Sequence, residues 1–385
     1  MRATPAGRHS AVLAPFVTIQ GCRSVVGRVL PVSTPDTQPR RRFRRIDVDS
    51  GLSHHEPVWQ VQAHAGEVRF CALSPNGEWL VTAGGDRAIK LWNVARREAE
   101  AFDGGTDPAT AAAFTRDGRE LLIGHGSGHV SRWNVETREK LWSDPGHSGA
   151  ITQLAVSPDG QWFATSGRDR SVSLWKLTAR TPQWSHSTVH PALSVAFSPD
   201  GRWLAVGTGE RQQTATGAVR IHSVESGDTV AVLPEASDLA KSVAFSPDGA
   251  WLASRGSGGD LRLWDTPTWH PARRLPDSLA ANRWLFVPSS SPLEKVAWTP
   301  RPIANQSGTD GRGVHPTVLQ QATRDRIVAV DFIGIVKLWD SKLAAPPLRF
   351  RAHDGPINDV ATSTHGESLF TVGRDGFLKQ WNLDD

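Results

Sequence analysis

A tight turn recurs along this chain at a nearly constant interval, and that interval limits what the chain can fold into. Ser74-Pro75-Asn76-Gly77, Ser157-Pro158-Asp159-Gly160, Ser198-Pro199-Asp200-Gly201 and Ser246-Pro247-Asp248-Gly249 are four copies. Weaker copies end at Gly118 (Thr-Arg-Asp-Gly) and Gly366 (Ser-Thr-His-Gly). Pro, Asp and Gly in succession reverse the backbone, with Gly supplying a positive φ. The chain's 35 Gly and 26 Pro suit many such turns. Strand-like runs flank each turn, as in Leu193–Phe197 before one and Trp203–Val206 after it.

A Trp follows five of the six glycines by 15 residues: Trp92, Trp133, Trp175, Trp264 and Trp381. A further Leu338-Trp339-Asp340 lacks a clear turn before it, and His222 takes the Trp place after Gly201, delayed by six residues. Successive marks lie 41, 42, 47, 42, 75 and 42 residues apart. The 75 is one repeat with 33 extra residues. Seven repeats of 42 with insertions of 6 and 33 fill residues 56–385. Each repeat is then one supersecondary unit stacked on its neighbours.

The spacing, the Ser-Pro-Asp-Gly turns and the endings Leu91-Trp92-Asn93, Arg132-Trp133-Asn134, Leu263-Trp264-Asp265 and Gln380-Trp381-Asn382 resemble the WD-repeat β-propeller family, in its bacterial type. The resemblance covers about 330 of the 385 residues. It implies an all-β fold, a seven-bladed β-propeller of four-stranded antiparallel blades around a central channel. It says little of function, because one fold hosts many roles.

Three repeats share a stricter pattern. His64, Thr82, Asp86 and Trp92 are spaced 18, 4 and 6 apart; His147, Thr165, Asp169 and Trp175 repeat those intervals, as do His353, Thr371, Asp375 and Trp381. The resemblance implies a buried chain in each, Trp donating to Thr, Thr to His and His to Asp. Burial of such groups is tolerable only when each has a partner. Thr, His and Asp also invite a hydrolase reading. A nucleophile should face a pocket once, however, and not recur at fixed spacing, so the structural reading is preferred. The other repeats depart from the pattern. Ile123 and Ser127 take the Thr and Asp places in repeat two, and His222 replaces Trp in repeat four. Repeat five keeps Ser254 and Trp264 but has Gly258, and repeat six has Ala329 and Ile333. These blades are expected to rely on apolar packing.

The last repeat ends just past its third strand and needs a fourth. Residues 57–62, within Glu56-Pro-Val-Trp-Gln-Val-Gln62, alternate as a strand should and are expected to close the ring. In repeat six, Lys295–Pro300 is read as the innermost strand, followed by Arg326–Asp331 and Ile335–Asp340, with insertions within about 276–316. A competing register places the first strand at 315–323.

The charge is unevenly spread. Residues 1–55 hold nine Arg and three Asp, a net of +6, so residues 56–385 carry −2. This segment is read as a basic, disordered N-terminal stretch. Its cluster Arg40-Arg41-Arg42-Phe43-Arg44-Arg45 is expected to be solvated, and the slightly acidic body argues against nucleic acid as partner. Ala11–Ile19 followed by Cys22 offers a lipid-anchored or exported alternative to a cytoplasmic location. Cys22 and Cys71 make no disulfide framework, and no apolar run is long enough for a membrane-spanning helix. His125-Gly-Ser-Gly-His129 lacks the three or four ligands of a zinc site, and Gly256–Gly259 lacks the Lys-Ser/Thr of a phosphate loop. No cofactor or metal is expected.

The leading functional expectation is a non-catalytic, monomeric scaffold binding peptide or protein partners, some of them acidic, through its loop surfaces. The alternatives are an enzyme at the mouth of the central channel and a sensor or targeting module for a separate catalytic chain. Carrying the resemblance onto this sequence places partner contacts beside the first apolar residue of strand one and just before the tetrad Asp. Those positions include Glu67, Arg69, Thr110, Thr152, Arg168, Lys241, Asn358 and Arg374. Ala150, Leu239 and Pro356 join them.

Overall fold

The computed structural model describes residues 52–102, 107–210, 217–234, 239–256, 261–275, 296–299, 326–340, 346–363 and 366–383. The cluster Arg40–Arg45, the stretch ending at Cys22, Gly258, most of the insertion within 276–316 and the register at 315–323 lie outside these residues.

Among the described residues, twenty-eight strands form seven four-stranded antiparallel sheets. The first strand is β1 (Trp59–Gln62). Blade one is β2 (Val68–Leu73), β3 (Trp79–Gly84), β4 (Ile89–Asn93) and β5 (Glu98–Phe102); blade two is β6 (Ala109–Phe114), β7 (Glu120–His125), β8 (His129–Asn134) and β9 (Lys140–Pro145). Blade three is β10 (Ile151–Val156), β11 (Trp162–Gly167), β12 (Ser171–Lys176) and β13 (Pro182–Ser187); blade four is β14 (Ala192–Phe197), β15 (Trp203–Thr208), β16 (Ala218–Ser223) and β17 (Thr229–Pro234). Blade five is β18 (Ala240–Phe245), β19 (Trp251–Gly256), β20 (Leu261–Asp265) and β21 (His270–Leu275); blade six is β22 (Val296–Thr299), β23 (Arg326–Val330), β24 (Ile335–Asp340) and β25 (Leu348–Arg351). Blade seven is β26 (Ile357–Thr362), β27 (Ser368–Gly373) and β28 (Phe377–Asn382), with β1 as its outer strand.

The repeated turn works as its residues require. In blade three the Ser157 hydroxyl accepts the Trp162 N–H at 2.9 Å, and Asp159 accepts the Gln161 N–H at 3.0 Å. Gly160 sits at φ +72°, a conformation that a β-carbon would strain. The strands on either side alternate their side chains between the two neighbouring blades. Val81 and Ala83 of blade one cluster with Phe114, Leu121 and Ile123 of blade two. Leu80 and Trp92 face the other way, onto Phe370, Val372 and Leu378 of blade seven. The core is therefore a set of seams between blades.

β1 closes the ring as the alternation of residues 57–62 anticipates. It pairs antiparallel with β28, from Trp59 opposite Gln380 to Gln62 opposite Phe377. Trp59 meets Trp92 of blade one edge to face, 5.8 Å between ring centroids. In blade six, β22 pairs with β23 from Val296 opposite Ala329, which is the Lys295–Pro300 register.

Three blades carry matching buried polar chains. Trp92 Nε1 donates to Thr82 Oγ1 at 2.8 Å, and that hydroxyl lies 2.9 Å from His64 Nε2; His64 Nδ1 is 3.0 Å from Asp86. In blade three the corresponding distances are 3.0, 2.8 and 3.0 Å through Trp175, Thr165, His147 and Asp169. In blade seven they are 2.9, 2.8 and 2.9 Å through Trp381, Thr371, His353 and Asp375. Since carboxylate accepts at Nδ1, each imidazole takes the Thr proton at Nε2. Thr82, Thr165 and Thr371 are wholly buried and receive an indole N–H, so none of these hydroxyls can meet a substrate.

Blade two corrects the expectation of apolar packing. Trp133 Nε1 donates to Ser131 Oγ at 2.8 Å, and Ser131 lies 2.7 Å from His125 Nε2. His125 Nδ1 is 3.3 Å from the Asp107 carbonyl, and the Asp107 carboxylate takes the Ser127 hydroxyl. The same donor sequence is thus rebuilt from residues on other strands. Blade five keeps the indole bond, Trp264 Nε1 to Ser254 Oγ at 2.8 Å. In blade six Lys337 and Asp331 form a buried ion pair at 3.4 Å.

Blade four pays most for its departure. His222 stands in the Trp place with Val206, not Thr, at the acceptor position. It stacks on His186 at 5.6 Å, and its Nε2 is buried with no hydrogen-bond partner. Burial drives its pKa from 6.5 to about 4, with the nearby His186 and Arg220 adding to the fall and a bond to the Gly227 carbonyl opposing it.

Deleting residues 1–63 removes β1 and should cost roughly 3 kcal/mol or more, from the lost burial of Trp59 and Val61. Deleting 1–50 should leave the urea transition unchanged, and equal transitions for both deletions would refute the closure. Ser131→Ala should cost about 1–3 kcal/mol, like Asp169→Ala, because both leave buried donors or acceptors unpaired. Ser127→Ala, at an exposed loop, should cost less; the three melts decide the assignment. His222 stays neutral when folded while the unfolded imidazole protonates below 6.5. Its contribution is therefore complete above pH 6.5 and is lost as pH falls towards 4, by about 3 kcal/mol in all. His222→Phe should remove that part of the slope between pH 7.5 and 4.5, and an unchanged slope would show the imidazole is not buried as described.

Candidate partner-binding face

In blades one and three the tetrad Asp also holds two loops together. Asp86 accepts the backbone N–H of Ala65 at 3.1 Å from the loop before β2, and that of Ala88 at 3.1 Å in the loop after β3. Asp169 does the same with Ser148 at 2.9 Å and Ser171 at 3.2 Å. Burial alone would raise the pKa of Asp169, but bonds from Ser171, His147 and the Ser148 N–H outweigh it and hold the carboxyl below its ordinary value. Asp86 and Asp375 are lowered against the same desolvation. His64 moves down, because burial outweighs the pull of Asp86. Gly167 is required here for space: a β-carbon would lie 2.5 Å from both Asp169 Oδ1 and His147 Nδ1.

The residue before each tetrad Asp is anchored through its backbone. Arg168 N donates to Ala150 O at 2.9 Å, and Arg374 N donates to Pro356 O at 2.9 Å. Gly85 N donates likewise to Glu67 O at 2.8 Å. Both arginine side chains are exposed, and neither forms an ion pair with a carboxylate among the described residues. A fixed backbone with a charged side chain in water is what a pre-organised contact requires.

The remaining candidates fare differently. Lys241 and Asn358, read as exposed, are buried at 7% and 3% exposure, and Leu239 is buried with them. Their strand positions pack against the neighbouring inner strand: Asn358 Nδ2 donates to Val68 O of blade one at 2.7 Å. Thr110 and Thr152 are half-buried and bonded, Thr110 to Gly124 O at 3.0 Å and Thr152 to Ala192 O at 2.7 Å. Ala150 and Pro356 are half-buried and serve as the carbonyl anchors above. Arg69 and Glu67 pair with each other at 3.3 Å. Arg168 and Arg374 therefore stand out from the set.

Two further arginines were not singled out from the sequence. Arg87 and Arg170 follow Asp86 and Asp169, are exposed, and take φ of 66° and 64°. The recurring Asp-Arg step was the available signal. Arg170 lies 3.5 Å from Glu210. His125 and His129 spend their nitrogens on separate partners, Ser131 and Ser127, and no group of three metal-ligating side chains converges among the described residues. No described helix is long and apolar enough to cross a membrane.

Comparison with known proteins agrees with this architecture. The family model "WD domain, G-beta repeat" matches residues 55–93, 138–176, 183–213, 227–265 and 345–382. These segments supply the three inner strands of blades one, three, five and seven and the first two of blade four, each preceded by the outer strand of the blade before. "Anaphase-promoting complex subunit cdh1" of Dictyostelium discoideum is 30% identical over 139 residues, 34% of this chain and 18% of that protein. "Autophagy-related protein 16" of Arabidopsis thaliana is 27% identical over 234 residues, 57% of this chain and 42% of its own length. "Protein FIZZY-RELATED 1" of Arabidopsis thaliana is 29% identical over 144 residues, 36% of this chain and 30% of its length. The chain spans less than half the length of each. All three are eukaryotic and give the bacterial-type qualifier no support. Five matched repeats within a seven-bladed ring make this chain a member of the WD40-repeat family.

Proposed function

We propose that the ring is a non-catalytic interaction platform whose loop face receives an acidic segment of a partner protein, anchored by Arg168 and Arg374. The observation that carries this is their shared geometry. Each precedes a tetrad Asp, each has its backbone N–H tied to the adjoining loop, and each guanidinium is exposed without a carboxylate partner among the described residues. A guanidinium presents a planar fork that matches a carboxylate. Arg87 extends the same charge to blade one. One relative is by its name a subunit of a complex, which supports an assembly role. The burial of every tetrad hydroxyl supports a non-catalytic reading. A monomeric ring in the cytoplasm is part of the proposal.

The experiment compares partners captured by the wild type and by Arg168→Glu with Arg374→Glu. A partner should be lost while the melting temperature holds, and its binding to the wild type should weaken with salt. An unchanged partner set, or binding indifferent to salt, would sink the proposal.

A further inference from the structure

The seam between blades six and seven lacks a cover that three other seams possess. Directly paired residues share a face of a sheet. In three blades the outer-strand residue paired with the position before the marking Trp is itself a tryptophan. These are Trp142 opposite Arg132 in blade two, Trp184 opposite Leu174 in blade three and Trp59 opposite Gln380 in blade seven. Each of those indoles packs on apolar residues of the next blade. Two of them reach the residue in the next blade's Trp place: Trp59 meets Trp92 with ring centroids 5.8 Å apart, and Trp184 meets His222 at 6.0 Å. In blade six the corresponding pair is Leu348 opposite Leu338.

A leucine is too short to cover the seam in this way, and Leu348 remains 39% exposed. A cavity of about 270 Å³ opens beside it, walled by Leu338, Leu348 and Phe350 of blade six and by Trp381 and Leu383 of blade seven. Four of these walls belong to one apolar cluster, in which Phe350 lies 4.8 Å from Trp381. Pockets for drug-sized ligands begin at about 300 Å³, so this space suits one bulky side chain. The mouth is polar. Ser53 N and Ser53 Oγ both donate to Arg349 O at 2.8 Å, and the His55 ring lies 5.0 Å from that of Phe350, which lays residues 53–56 along the cavity. Glu56 lines the mouth, is exposed, and has no hydrogen bond or ion pair among the described residues. Arg326 also lines the cavity, but its guanidinium is engaged by Leu383 O.

We propose that this cavity receives a tryptophan side chain of a partner protein, with a basic residue beside that tryptophan meeting Glu56. The entering indole lies against Trp381 as Trp59 lies against Trp92, so the partner completes from outside what blade six leaves open. A desolvated aromatic anchor ringed by polar contacts is where interfaces concentrate their binding energy. A free carboxylate at the mouth selects a cation beside the anchor and repels the phosphates of nucleic acid. The proposal rests on the reading of the ring as an interaction platform but uses a surface separate from Arg168 and Arg374.

The test titrates full-length protein into a fluorescein-labelled peptide, Gly-Ser-Trp-Lys-Ser-Gly, and follows anisotropy. Replacing the peptide's Trp by Ala should weaken binding by about tenfold or more. Leu348→Trp, which installs the residue of three other blades and fills the cavity, should weaken it as much without lowering the melting temperature. Glu56→Arg, on an exposed residue, should reverse the preference between this peptide and one with Glu in place of Lys. Arg168→Glu with Arg374→Glu should leave the titration unchanged, so failure at the loop face and failure at the seam are read separately. Equal binding of the Trp and Ala peptides, or wild-type binding by both Leu348→Trp and Glu56→Arg, would overturn the proposal. The chain has its own basic-aromatic pair, Arg283-Trp284. Tighter peptide binding by Trp284→Ala would assign the cavity to that segment, and a concentration-dependent dimer lost in Leu348→Trp would assign it to a second copy; either result would overturn the choice of partner.

Discussion

A four-stranded blade has two faces rich in apolar side chains and no layer of its own to cover them. Val81 and Ala83 can leave water only because blade two stands on one side, and Leu80 and Trp92 only because blade seven stands on the other. Every blade has this need, so the arrangement is satisfied only when the row returns on itself. β1 meets that condition by placing the start of the ring on its last sheet. The closing strand also brings Trp59 over the seam with blade one, where it acts on the neighbour as Trp142 and Trp184 act on theirs. Stability is thus shared among seams, and a weak blade is held by two neighbours.

Polar order is added where loops must be held still. Each tetrad runs from an indole in the third strand to a carboxylate between two loops, so packing in the blade is coupled to loop position at the face. The fully satisfied chains carry little penalty for burial. Blade two obtains the same coupling with Ser131 on β8 in place of a Thr on β7, and with Asp107 in the loop before β6. What is retained is the path from indole to loop, not the residue positions. Blade four has no acceptor for an indole, and its imidazole is left with a buried bare nitrogen.

The parts of this architecture that were legible in the sequence are those written at fixed intervals along one chain segment. The Ser-Pro-Asp-Gly turns, the Trp marks and the spacing of His64, Thr82, Asp86 and Trp92 are all local to one repeat, so periodicity exposes them. The closing strand was legible because Trp59 and Val61 alternate with polar residues. What was not legible depends on contacts between repeats. Lys241 and Asn358 looked like loop-face residues by analogy of position, yet the neighbouring inner strand covers them. The network of blade two was hidden because its histidine comes from a strand and its serine sits two residues before the Trp. Pairing across a seam, such as Asp359 accepting the Cys71 N–H at 3.2 Å, joins residues 288 apart and leaves no periodic trace.

Net charge was the least informative quantity for the same reason. The −2 carried by residues 56–385 suggests a bland surface, but a ring distributes its charge by blade and by wall. β5 carries Glu98 and Glu100, whereas β21 and β25 carry arginines that the register turns towards each other. An average over the chain cancels these sectors, although they lie blades apart and are screened from one another in physiological salt. Local complementarity is what a partner meets. Where a seam opposes unlike charges, as Glu100 and Arg138 do, the surface is already satisfied internally. Where it opposes like charges, the closed ring still obliges the two blades to stay adjacent, because their apolar inner portions bury Leu261, Leu263, Ile327 and Trp339 together.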